Sequence, residues 1–159
     1  MQLTHKEDVS PKLDKAGILR VQSIVGAALF YGRAVDKKIM VSINTIGTQQ
    51  ASATEATNHA VHQLLNYLAT YPDDVILYQA SEVILTAHSD AGFHNESKGR
   101  SRAGAHICLS EDNPIPYWNG PILTVVQIIK FFLTSAAEAE LGALFVTAQK
   151  MVLLRQTLM

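Results

Sequence analysis

Cysteine is nearly missing from this sequence. Cys108 stands alone among 159 residues, which excludes an internal disulfide framework and suits a reducing compartment. Its apolar neighbours read it as a small buried hydrophobe before a reactive thiol. Net charge is also missing: 13 basic residues face 14 acidic ones, leaving −1. No global field then draws the chain to nucleic acid or to an anionic membrane, and any such contact must come from a local patch. Long hydrophobic runs are absent as well. The longest nearly uncharged apolar stretch, Pro121 to Leu133, is broken by Gln127 and Lys130 and falls short of the about 18–20 residues a membrane span needs. The opening MQLTHKEDVSPKLDK lacks the apolar centre of a secretory signal. The expectation is a soluble intracellular protein, cytoplasmic or nuclear, with no membrane partner.

What is present suits a folded chain, since apolar residues make up 48% and charged residues 17%. Residues 1–14 read as a flexible lead-in. From Lys15, the apolar positions Ile18, Val21, Ile24, Val25, Ala28 and Leu29 recur at helical spacing and predict an amphipathic helix to about Arg33. A short helix over Lys38 to Gly47 points Ile39, Ile43 and Ile46 inward. "SATE" then offers Ser52 as N-cap and Glu55 three positions on, a capping box, ahead of a helix carrying Val61, Leu64, Leu65 and Leu68. Pro72 stops it. After Asp74 the period falls to two, predicting strands over 75–79, 83–89, 103–109 and 122–130, with a tight turn at Ala80-Ser81. A last helix runs from Ser135 to about Leu154, with Ala137, Leu141, Leu144, Phe145, Ala148 and Val152 as its core stripe.

The expected class is therefore α/β in content and α+β in arrangement. A helical segment, 15–73, precedes 74–159, an antiparallel meander with one packed helix.

Three groups of residues can carry chemistry. Strand alternation puts Ile84, Thr86, His88 and Asp90 on one face and Val83, Leu85 and Ala87 on the other. Asp90, followed by Ala-Gly, reads as the strand's last residue, either a turn-initiating aspartate or a carboxylate open to a metal. Glu138 and Glu140 flank the apolar stripe of the last helix on opposite sides, so periodicity does not choose between them. Capping does: with Ser135 at N-cap, Glu138 completes a capping box, and Glu140 is left as the better ligand candidate or as a solvated helix edge. Lys98, Arg100 and Arg102 in "SKGRSR" form the one dense basic stretch, a solvated turn or a nucleic-acid contact.

Residues 24–81, "IVGAALFYGRAVDKKIM…PDDVILYQAS", resemble the end of the reverse transcriptase region in copia-type retrotransposon polyproteins. Tyr31, Arg33, Ala34, Val35, Asp36, Met40, Thr54, Glu55, Ala60, Val61 and Tyr67 stand in that family's arrangement. The following "HSDAGF…KGRSRAGAHICL…TSAAEAELGALF" resembles the start of its ribonuclease H domain: "SDA" ending the first strand, a basic turn into the second, and "S.AEAE..AL" opening the first helix. The resemblance covers about residues 16 to 159.

It implies a truncated ribonuclease H-like fold and a site where Asp90 and Glu140 are the catalytic, metal-binding carboxylates. Lys98, Arg100 and Arg102 would contact nucleic acid. The implied cofactor is Mg²⁺, a hard ion held by oxygen ligands, and the implied partner is an RNA–DNA hybrid cleaved by a two-metal mechanism. On that reading the Asp90 and Glu140 carboxylates lie within about 4–7 Å of each other. The departures are specific. Gly92 stands where the wider pattern "SDAD" has a second aspartate, the "TDN" carboxylate has no counterpart, and no Asp or Glu follows Glu140. The polymerase palm with its paired aspartates has no counterpart either. The expectation is an inactive chain with weak metal binding, prone to self-association through an unpaired sheet edge.

Overall fold

The computed structural model describes residues 8–113 and 119–159. They fall into two compact units that divide after Ile76, close to the expected change of character at residue 74.

The first unit is helical. α1 spans Lys15–Ala34, and the Asp14 carboxylate caps it by accepting from the Gly17 N–H at 2.7 Å. α2 spans Met40–Gln49 behind a 3-10 turn at Lys37–Ile39, and α3 spans Glu55–Thr70. The expected inward positions hold: Val21, Val25, Ala28, Ile39, Ile43, Ile46, Val61 and Leu64 are buried in one core. Gly32 lets α1 approach closely, because a Cβ there would sit 3.1 Å from both Ile43 Cδ1 and Met40 Sδ.

Two expectations in this unit are corrected. Ser52 does not cap α3, because it is consumed by a 3-10 turn at Gln50–Ser52. The cap is Thr54, whose hydroxyl accepts from the Thr57 N–H while the Thr57 hydroxyl accepts from the Thr54 N–H at 3.2 Å, a reciprocal box without a glutamate. Residues 8–14 are not a loose lead-in. The Leu13 N–H donates to the Ala53 carbonyl and the Glu55 N–H to the Pro11 carbonyl, each at 2.9 Å. The second bond satisfies one of the N–H groups that the start of α3 leaves open; residues 1–7 lie outside the described part.

The second unit is a three-stranded antiparallel sheet in the order β1-β2-β3, followed by one helix: β1 Ile84–Glu96, β2 Arg100–Ser110, β3 Pro121–Ile128 and α4 Ala136–Leu158. Two of the expected strands match β2 and β3 closely. Residues 75–79 form no strand, and the backbone of Gln79 pairs instead with a side chain. The Asn119 amide accepts from the Gln79 N–H at 2.8 Å and donates to its carbonyl at 3.0 Å. One side-chain amide thus supplies the pairing that a neighbouring strand would have made.

β1 is longer than expected. Its register runs unbroken from Ile84↔Ser110 through Asp90↔Gly104 to Gly92↔Arg102, then shifts before Glu96↔Arg100. "SDA" therefore sits within the strand. Residues Phe93, His94 and Asn95 form the irregularity, with His94 in the left-handed region at φ 50°. The hairpin to β2 turns through Ser97, Lys98 at φ 63° and Gly99 at φ 64°.

α4 packs on the sheet with the side opposite to the one periodicity selects. Its buried residues are Ala139, Ala143 and Thr147, joined by Val146, Met151 and Leu154 against the sheet's Ala103, Ala105 and Ile107. The expected core stripe is exposed, with Leu141, Leu144, Phe145 and Val152 each more than half accessible. Small residues on both surfaces bring helix and sheet together: a Cβ on Gly142 would already lie 3.3 Å from Ile129 Cδ1. The larger stripe would hold the helix off an alanine-rich sheet.

Candidate functional site

The face of the sheet that meets α4 carries Leu85, Ala87 and Ala91 of β1. Alternation therefore sends Thr86, His88 and Asp90 to the other face. Asp90 is exposed there, and the same face holds the cross-strand row His88↔His106↔Thr124 one register step away. In that row His106 Nδ1 and Thr124 Oγ1 are 3.1 Å apart. His106 went unread in the sequence because its partner Thr124 is set by strand register, not by spacing along the chain.

Glu140 is exposed in the first turns of α4. Asp90 thus stands on the face turned away from the helix that carries Glu140, and among the described residues no hydrogen bond or ion pair links the two. No group of three or more His, Cys, Asp or Glu among the described residues is placed to hold a metal ion. Each ion of a two-metal centre needs several fixed oxygens, more than Asp90 and Glu140 supply by themselves.

Glu138 behaves as a capping residue, shifted by one position. The Ser135 hydroxyl accepts from the Glu138 N–H at 3.2 Å, as expected, but the carboxylate reaches past Ser135. It accepts from the Thr134 N–H at 2.7 Å and from the Thr134 hydroxyl at 2.9 Å. The backbone donor first, and the hydroxyl second, hold its pKa below the usual glutamate range.

The basic triplet separates into three different roles. Arg102 is buried and pairs through Nε with Glu96 at 2.5 Å, so its charge is spent inside the hairpin and it is withdrawn from the expected nucleic-acid surface. Arg100 donates back to the Ser97 carbonyl at 3.1 Å and to its hydroxyl at 3.2 Å, stapling the turn. Lys98 is exposed at the turn's tip. Cys108 is buried, as its apolar neighbours implied.

Beside Asp90, the β1 irregularity crowds position 92. A Cβ on Gly92 would fall 1.9 Å from Asn95 Nδ2, so the folded-back Asn95 occupies the space a side chain at position 92 would need. His94 links this bulge to the segment before α4, its Nε2 lying 3.0 Å from the Leu133 carbonyl and its ring stacked on Phe93 at 3.8 Å. No polar spacing in the sequence signals this contact.

These features define an α+β protein: a helical unit, and a three-stranded antiparallel sheet with one helix packed on it. No helix among the described residues is long and apolar enough to cross a membrane. Comparison with protein-family models, with curated proteins and with solved structures finds no match.

Proposed function

We propose that these residues derive from a copia-type retrotransposon polyprotein and no longer catalyse. Residues 15–73 correspond to the C-terminal connection of the reverse transcriptase region, and 74–159 to the first part of a ribonuclease H-like domain. The ancestral activity is metal-dependent hydrolysis of RNA in an RNA–DNA hybrid. The observation that carries the reading is an order of elements. Three antiparallel strands precede one helix, "SDA" lies on the first strand, the basic turn joins the first two, and "TSAAEAE" opens the helix.

Catalysis is set aside because the carboxylates do not converge. Asp90 and Glu140 leave any Mg²⁺ mostly coordinated by water, and a hydrolytic site loses on the order of 10²-fold for a misplacement near 1 Å. Contact with a hybrid would fall to Lys98 and the remaining donors of Arg100, a weak electrostatic footing. A second reading, a protein-interaction module of the same origin, is favoured by the exposed apolar side of α4.

Incubation of the purified chain with a labelled RNA–DNA hybrid and Mg²⁺ or Mn²⁺ tests the loss of activity. The expected outcome is the same background for the wild-type chain and for Asp90→Asn. Cleavage that disappears with Asp90→Asn would overturn it.

A further inference from the structure

One end of the sheet unit gathers rings and cations. β1 finishes at Glu96, β2 starts at Arg100, β3 finishes at Ile128 and α4 starts at Ala136. The antiparallel order therefore brings the Ser97–Gly99 turn and residues 129–135 to the same end. There the Ile129 N–H donates to the Ser101 carbonyl at 2.8 Å. With Arg102 opposite Ile128, that bond continues the ladder and brings Lys130 level with Arg100. Phe131 and Phe132 follow, 70% and 76% exposed, and neither belongs to the unit's core.

This segment is tied down. The Leu133 carbonyl lies 3.0 Å from His94 Nε2, and the His94 N–H donates to the Ser101 hydroxyl at 3.1 Å. Phe93 stacks on His94 with centroids 3.8 Å and planes 21° apart, and Phe132 meets His94 at 6.0 Å and 52°. Phe93, His94 and Phe132 thus form a row of rings rooted in the β1 bulge, its last ring in solvent. Lys98 and Lys130 are exposed, and Arg100 keeps donors beyond those given to Ser97. The carboxylates at this end are Glu96, paired with Arg102, Glu138, held by Thr134, and the exposed Glu140.

We propose that this end binds single-stranded nucleic acid, with unpaired bases stacked on Phe132 and Phe131 and phosphates set against Lys98, Arg100 and Lys130. Every base has a π face that can extend a row of rings, whatever the sequence, while neighbouring cations hold the backbone. A duplex cannot use the row in this way, because its bases already stack on both faces. An anionic bilayer would draw on the same cations. Sinking Phe132 into it, however, would carry Glu138 along, and a carboxylate withdrawn from water is costly. The electrostatic part is small: three phosphate contacts give a slope of log K against log salt near about −2 for a single strand. Stacking supplies the rest. The contact extends the one proposed for Lys98 and Arg100, uses neither Asp90 nor Glu140, and stands or falls apart from the lost hydrolysis.

Fluorescence anisotropy tests it, with the full chain titrated at about 50 mM salt into a labelled oligothymidylate of about twelve nucleotides and into its uridine counterpart. Both strands should bind, and more tightly than a duplex of the same length. Phe132→Ala and Phe132→Leu should each weaken binding at least about fivefold, and Phe132→Trp should retain it. Lys130→Ala should reduce the salt slope by about 0.7. Circular dichroism of these exposed-site variants should match that of the wild type. Strands that do not bind, binding indifferent to Phe132→Ala or preserved by Phe132→Leu, or a duplex held as tightly as the single strands would overturn the proposal. So would a chain that leaves both strands free and sediments with phosphatidylserine-containing vesicles, which would give this end to a membrane.

Discussion

The two units solve the same problem, burying enough apolar surface, in opposite ways. The helical unit puts its large side chains inside: Ile39, Ile43, Ile46, Val21, Val61 and Leu64 form one continuous core. The sheet unit buries alanines at 103, 105, 139 and 143 beside Ile107, Cys108, Val125 and Ile129, and leaves Leu141, Leu144, Phe145 and Val152 in solvent. It offsets a thin core with polar ties: the buried Arg102–Glu96 pair, the Asn119 amide bridging to Gln79, and the Glu138 cap. The lesson is that apolar content does not measure how self-sufficient a unit is. The sheet unit holds a helix whose larger apolar side points away from its own core.

That contrast can be broken experimentally, and the largest effect belongs to the sheet unit's ion pair. Glu96→Ala removes the carboxylate partner of a guanidinium that is 7% exposed and should cost about 3–5 kcal/mol of that unit's stability, measured by urea unfolding. A cost near that of an exposed surface pair would mean that the sheet unit does not depend on the tie. Next comes packing: Ile43→Ala, in the helical core, should cost about 2–5 kcal/mol, whereas Leu144→Ala should change the unfolding of dilute, monomeric chain by less than about 0.5 kcal/mol. Equal losses at the two positions would erase the distinction between the units.

The smallest effect is the pH dependence of the α4 cap. The folded pKa of Glu138 is depressed by the Thr134 N–H and hydroxyl. Its contribution is therefore fully present above the unfolded glutamate's pKa and is lost as pH falls through the lower folded value. Melting curves recorded below the ordinary glutamate range should converge for wild type and Glu138→Gln. They should differ, with wild type the more stable, at neutral pH.

The helical unit was legible from the sequence because each of its helices has one apolar side and one polar side, so spacing alone names the core. Even there Ser52 misled, since a capping signature does not say whether a 3-10 turn has already used the residue. α4 was legible as a helix but not in orientation. Being apolar around its circumference, it offers periodicity two stripes, and residue size against the alanine-rich sheet decides between them. Asp90's face was readable from alternation, while its place inside β1 was not, because pairing of Ala91 and Gly92 with Ala103 and Arg102 carries the strand onward. Arg102's burial was invisible for a related reason: its partner Glu96 looks like a turn residue until the bulge brings it back into register.

The central claim is that Asp90 and Glu140 lie on different surfaces and do not share an ion. Titration of Mn²⁺ into ¹⁵N-labelled chain tests it directly, since amides close to a bound paramagnetic ion broaden at low occupancy. The amides of residues 90 and 140 should broaden independently, no earlier than those beside the other exposed carboxylates, and Asp90→Asn should leave the response at residue 140 unchanged. Early broadening at both positions together, abolished at both by Asp90→Asn, would contradict the account.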